Sequence, residues 1–435
     1  MRKIFSFSIF ILIACEIFSH SIVIDKEVFV ERRSRLMEQT RDGIVVMMSA
    51  KVYERNNDVS HDFRQESHFY YLTGFEESSS AFILDPNASN KFMLFVQPKN
   101  PLLEVWTGKL TGVENAVTEF GADKSFPINS FDSVLNDYLS RGIKIYFIKD
   151  DKELAAKIKD KSPTSDVKKM IGDMRLIKSA YEIEQLQKAI DITCMALIEC
   201  MKQAAPGMYE YELQATLEYN FKRNGCQQNG FPSIVGSGPN SCILHYETNN
   251  RQTQNGDMVV MDVGAEWKYY SADVTRTFPL NGKFSPEQRE IYQIVFDAQE
   301  EVVKFLKPGK MFYQVDSVAR SIVRERLIQL GLLKENEDVR KFFMHGTSHW
   351  LGLDVHDECD YTVGGKRGDR VLLPGTVLTN EPGIYIAEGT PGVNPKYYNI
   401  GVRIEDDIVI TETGCEVMST LAPRKIEDIE AVMRK

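Results

Sequence analysis

The chain has 435 residues, 43% hydrophobic and 26% charged, which suits two or three domains of roughly 100 to 200 residues each and excludes extended disorder. Its 52 basic and 62 acidic residues give a formal charge of -10 without any Lys/Arg cluster, which excludes a nucleic-acid footprint. The 7 cysteines, Cys15, Cys194, Cys200, Cys226, Cys242, Cys359 and Cys415, form no C-x-x-C pair, which excludes a thiolate zinc site.

At the amino terminus, Arg2-Lys3 precedes an apolar run, Ile4 to Cys15, with the features of a secretory signal and too little length to span a bilayer. Residues 1–21 therefore read as a signal segment, and the expected location is periplasmic, secreted or membrane-tethered, with cytoplasmic as the alternative. Ser19-His20-Ser21 offers a small-x-small cleavage site, whereas Leu12-Ile13-Ala14-Cys15 resembles a bacterial lipobox whose lipidated Cys15 would form a membrane tether.

Residues 25–165 alternate short strands, such as Gly43–Met48 and Phe92–Val96, with amphipathic helices, the pattern of an α/β unit. His68, among aromatics, reads as a core or interface histidine, and Trp106 as a core aromatic on a strand. The charged stretch from Lys152 to Asp173 reads as a linker into a second domain, residues 172–435. That domain opens on a capping box, Ser179 to Glu182, ahead of a helix whose Ile183, Leu186, Ile190, Ile192 and Met195 recur at helical spacing. Pro206-Gly207 stops it, Cys194 and Cys200 are core residues on it, and helices from Glu210 to Asn224 and from Pro286 to Leu306 follow. Helices followed by strands in each half predict an α+β domain.

Asp262 ends the apolar strand Met258–Met261 before Val263-Gly264, and Asp273 lies eleven residues later at the start of the returning strand of a hairpin. Alone, either could cap a turn; together, two close carboxylates repel unless a divalent cation sits between them. The segment from His345 to Asp357 carries three of the 7 histidines, His345, His349 and His356, between helix-breaking glycines. Glu381 follows the strand-like Val377-Leu378-Thr379, and Gly401 to Ile410 alternates as one strand on which Arg403 and Glu405 share a face. One histidine with four carboxylates is a hard, oxygen-rich set that points to manganese ahead of zinc, cobalt or iron.

In this order the motifs resemble the pita-bread metallopeptidases. The segments Ile234 to Tyr246, Phe343 to Asp357 and Gly401 to Gly414 narrow the resemblance to aminopeptidase P of the proteobacterial type. Arg64 to Phe75 and Met174 to Ile183 extend it from about residue 28 to the C-terminus. It implies a creatinase-like α/β N-terminal domain, an α+β pita-bread catalytic domain and two divalent metal ions. Asp262 would chelate one ion, Asp273 and Glu405 would bridge, and His349 and Glu381 would complete the other. His245, His345 and His356 would face the substrate, with Tyr361 and Arg403 supporting the ligands and a proline pocket near His345, Tyr385 and Arg403. Glu381 would carry a proton to the leaving nitrogen, while His245 and, with the larger share, His356 would hydrogen-bond the developing oxyanion.

The resemblance implies release of the N-terminal residue from peptides with proline second. The alternatives are a prolidase restricted to dipeptides and a non-catalytic binding protein. An X-Pro bond has no N–H and a fixed φ, so recognition has to be by shape. A dimer or tetramer is also implied, with Trp106 reaching a neighbouring active site.

Overall fold

The computed structural model describes residues 26–434; the expected signal segment, with Cys15, lies outside the described residues. The chain divides into two compact units, one of residues up to Tyr146 with Lys152–Thr164, the other of Phe147–Asp151 and everything from Ser165 onward.

The first unit is built on a six-stranded sheet in the order Lys124–Pro127, Phe92–Val96, Ala81–Leu84, Gly43–Met48, Lys144–Phe147, Thr164–Asp166. Its middle strands are antiparallel, with Val45 opposite Leu84 and Ala81 opposite Phe95, and parallel pairings flank them. The middle strands are apolar throughout because both faces are covered. His68 is buried on the helix Ser67–Thr73. Trp106 departs from expectation: it lies on the helix Pro101–Thr107 and is 86% exposed, beside exposed Leu102 and Val105. Pro101 and the side chain of Asn100, which accepts from the amides of Leu102 and Leu103, start a helix where Val-Trp alone suggested a strand.

The stretch expected to be a linker is instead structured, as the helix Lys152–Ile158, the strand Thr164–Asp166 and the helix Lys168–Leu176. Buried Leu154 and Ile158, then Ile171 and Met174, recur at helical spacing beneath the charged residues that suggested a linker.

In the second unit the helix Ala180–Gln203 starts at the Ser179–Glu182 capping box. Its buried stripe is Leu186, Ala189, Ile190, Thr193, Leu197 and Cys200; Met195, five positions after Ile190, falls off it and is exposed. Glu210–Arg223 and Pro286–Phe305 follow, and then a helix not anticipated from sequence, Phe312–Gln329, whose buried Val315, Ala319, Val323 and Leu327 form a narrow four-residue stripe among charges.

Two antiparallel ladders deliver the site. Ile234–Ser237, Met258–Val263 and Val274–Pro279 form one; Val377–Asn380, Asp406–Ile410 and Cys415–Val417 form the other. The single strand expected from Gly401 to Ile410 is two, because Ile400–Arg403 pairs with Gly383–Ile386 and Asp406–Ile410 belongs to the second ladder. Between them Glu405 donates its N–H to the Thr275 carbonyl (3.1 Å), which ties the crossing chain to the first ladder. Among the described residues no helix is long and apolar enough to cross a membrane.

Candidate metal centre and active site

Register explains why the acidic residues meet. Asp262 is opposite Thr275, and Asp273 immediately precedes Val274, the partner of Val263, so the hairpin puts both carboxylates at one end of its ladder. Glu381 and Glu405 are the residues next beyond Asn380 and Asp406, the last pair of the second ladder. His349 is stitched alongside: its carbonyl accepts from Thr379 N–H (2.9 Å) and its own N–H donates to Thr379 Oγ1 (3.1 Å). All five line one cavity of about 370 Å³ together with His245, His345, His356 and Arg403.

Oxygens of Asp273 and Glu405 and a ring nitrogen of His349 lie within 4.8 Å of one another. His349 Nδ1 is 3.0 Å from the Trp350 carbonyl, which can only accept, so Nδ1 carries the proton and Nε2 presents a lone pair. That lone pair faces Asp273 Oδ2 at 3.2 Å and Glu381 Oε1 at 3.6 Å. Asp262 Oδ1 and Asp273 Oδ1 are buried without a hydrogen-bond partner. Acceptors facing acceptors in a buried site fit a divalent cation.

The electrostatics agree. Burial, reinforced by Asp262, Asp407 and Glu381, pushes the Asp273 carboxyl well above its ordinary range. Burial and the neighbouring Asp273, Glu381 and Asp262 do the same to Glu405. Burial would raise Glu381 too, but the hydrogen bond from His345 and the Arg403 guanidinium hold it below the ordinary value. Among the described residues, Arg403 is the one permanently charged cation lining the cavity. Its guanidinium donates to Asp262 Oδ2 (2.5 Å) and to the Tyr385 hydroxyl (2.7 Å). His345 Nδ1 is 2.7 Å from the Gly346 carbonyl, so it is protonated, and Nε2 accepts from the Tyr385 hydroxyl (2.7 Å). A chain of bonds thus runs from His345 through Tyr385 and Arg403 to Asp262. Burial, with His349 next to it, lowers the pKa of His356, whose ring centroid is 4.3 Å from that of His349.

Tyr361, expected to support the ligands, and Tyr385, expected in the proline pocket, are not among the cavity-lining residues. Tyr361 stacks on Trp350 at 5.1 Å and its hydroxyl accepts from the Trp350 N–H (3.2 Å); burial pushes its pKa up to about 12. Sequence reasoning missed the apolar wall of Phe231, Pro232, Ile234, Leu244 and Val355. It also missed the groups that orient the acids: Thr275 Oγ1 donates to Glu405 Oε2 (2.7 Å), Thr379 Oγ1 to Glu381 Oε1 (3.3 Å), and Asp273 N–H to Asp407 Oδ2 (3.1 Å). Thr379 was findable, since it lies two residues before Glu381 on the same strand face.

Residues 184–412 match metallopeptidase family M24, and residues 29–146 match the N-terminal domain of aminopeptidase P. The chain belongs to metallopeptidase family M24. This M24 chain is 39% identical over 422 aligned residues to the Xaa-Pro aminopeptidase of Haemophilus influenzae, covering 94% of the chain and 97% of the relative. Against the Xaa-Pro aminopeptidase of Escherichia coli the identity is 37%, with 94% and 98% covered. The structure of the Pseudomonas aeruginosa aminopeptidase PepP superposes with a TM-score of 0.90 at 37% identity, covering 95% and 98%. The M24 chain therefore has the expected fold, an α/β aminopeptidase P N-terminal domain and an α+β pita-bread catalytic domain. Family membership brings divalent metal ions, and the cluster of Asp273, His349 and Glu405 offers donors for them.

Proposed function

We propose that this metal-dependent aminopeptidase releases the first residue of peptides whose second residue is proline, using two divalent ions, with manganese the first candidate. The ligands would be Asp262, Asp273, His349, Glu381 and Glu405. The observation that carries the reading is the charge of the cavity: the carboxylates of Asp262, Asp273, Glu381 and Glu405 and the lone pair of His349 converge, Glu247 adds a fifth carboxylate to the lining, and among the described residues Arg403 is the one permanent counter-charge there. A single divalent cation would leave the cavity negative, whereas two bring it close to neutral and satisfy the orphaned oxygens of Asp262 and Asp273.

When bound, such ions supply Lewis acidity, lowering the pKa of water from about 15.7 toward neutrality and polarising a carbonyl. The residues do the rest. Glu381, held ionised, accepts a proton at a carboxylate oxygen and hands it to the prolyl nitrogen, which has to be protonated to leave. His356, kept neutral by burial, donates an N–H to the developing oxyanion, and His245 at the cavity mouth orients the peptide. The bond from Tyr385 fixes the His345 ring, and the wall from Phe231 to Val355 receives apolar substrate surface and excludes water. Proline brings no N–H to satisfy, which suits a pocket that selects by shape.

The test is metal-free protein incubated with Xaa-Pro-Xaa and Xaa-Ala-Xaa peptides, with manganese, zinc or cobalt added in turn and the freed residue followed by mass spectrometry. Manganese-dependent release from the proline peptide alone is expected; cleavage of Xaa-Pro dipeptides only would make the protein a prolidase. Export of the chain and its assembly into dimers or tetramers are parts of the same proposal. The first rests on the basic-apolar start of the sequence and the second on exposed Leu102, Val105 and Trp106. Full-length protein, Met1 included, in the cytosol would refute export; monomer mass by light scattering would refute assembly.

A further inference from the structure

We propose that the helix Lys168–Leu176 and the following Lys178 are a positioning device that holds His356 in place through the adjoining Asp357. The inference rests on the role given above to His356. The Asp357 side chain is 2% exposed, and two buried cations grip it. Lys178 Nζ donates to Oδ2 (2.9 Å), and Arg175 Nη2 donates to Oδ1 and to Asp354 Oδ2 (2.6 Å).

Backbone contacts make the grip specific to this loop. Asp357 N–H donates to the Trp350 carbonyl (2.9 Å), closing the segment that carries His356 onto the residue after His349. A Cβ on Gly352 would run into Asp357 Oδ2, and one on Gly172 would come within 2.8 Å of the Glu358 carbonyl. The helix and the carboxylate therefore lie flush against bare backbone, where only glycine fits. Lys169 adds an ion pair to Asp360 (3.1 Å), and Lys168 one to Glu358 (3.5 Å).

None of Arg175, Lys178 and Asp357 lines the cavity, so they act on the reaction only through the residues they hold. Buried ion pairs add little net stability compared with apolar residues of the same volume, yet they fix one geometry. A misplacement of about 1 Å at a catalytic group can cost about 100-fold in rate. Here the group held is the imidazole next in sequence, and its holders lie some 180 residues away in the chain.

The test uses the metal-loaded enzyme, with kcat and KM on an Xaa-Pro-Xaa peptide and metal content by mass spectrometry, for Asp357→Asn, Lys178→Met and Lys178→Arg. Each is made alone and on top of His356→Ala. The expected result is a fall in kcat of about 10- to 100-fold for Asp357→Asn and Lys178→Met, with KM within about threefold and metal retained. Lys178→Arg should recover most of the loss, and on the His356→Ala background the substitutions should cost less than about twofold more. Equal losses on both backgrounds, or loss of metal, would overturn positioning in favour of a purely structural network. His356→Ala with normal kcat would remove the underlying role of His356, and this proposal with it. If Asp357→Asn fails to fold, the two Lys178 variants decide the matter alone.

Discussion

Asp357 and Asp273 are both buried aspartates of the catalytic unit, and their surroundings are opposite. Burial alone would raise both. For Asp357, Arg175 and Lys178 outweigh it and hold the carboxyl down to about 2. Asp273 has other carboxylates and the lone pair of His349 around it and no Lys or Arg paired with it, and its pKa rises well above the ordinary range. Arg276 with Asp406 repeats the first arrangement, fully buried and paired at 2.8 Å. Where the chain supplies its own cations, a buried carboxylate is a strut; where it supplies acids without them, the site is built for cations from outside.

The contrast breaks most visibly at Asp273. Asp273→Ala should reduce activity to background and strip bound metal, measured as turnover and metal content; normal turnover with full metal content would refute the site. His356→Ala should keep the metal and slow turnover by about two to four orders of magnitude. Loss of metal in that variant would make His356 a ligand instead.

Removing the metal sharpens the comparison through pH. Asp273 and Glu405 have folded pKa values above their unfolded ones, so their contribution to stability is present below about pH 4 and is lost as pH rises. Metal-free protein should therefore lose apparent Tm as pH rises above about 4, while one fixed metal concentration, about 100 times the Kd at neutral pH, should restore about 3 kcal/mol there. A gap between the two forms that narrows with rising pH would contradict this sign.

The smallest effect belongs to Asp357. Its folded pKa is depressed, so about 2 kcal/mol of stability is present above about pH 4 and disappears as pH falls toward 2. Acid unfolding followed by circular dichroism should show that slope, and Asp357→Asn should flatten it.

Much of the site was legible because its acids sit at strand ends, where an apolar run followed by a lone carboxylate stands out, as at Asp262 and Glu381. Less legible was anything set by the third dimension. The alternation from Gly401 to Ile410 carries no mark of a change of sheet, and the change occurs at Glu405. The Tyr361 hydroxyl is taken by a backbone amide, which a motif cannot show. Nothing in the sequence marks Arg175 and Lys178, because their partner, Asp357, is some 180 residues away in the chain. In the first unit, the strands Gly43–Met48 and Phe92–Val96 were plain from their unbroken apolar runs, whereas Trp106 was misplaced because capping by Asn100 outweighed local β-propensity.

The most direct test is a titration of metal-free protein with manganese, following bound metal by mass spectrometry and release of the first residue from an Xaa-Pro-Xaa peptide in the same samples. Activity should rise with occupancy and level off at about two ions per chain. Full activity without metal, or a saturated centre that leaves the peptide intact, would contradict it.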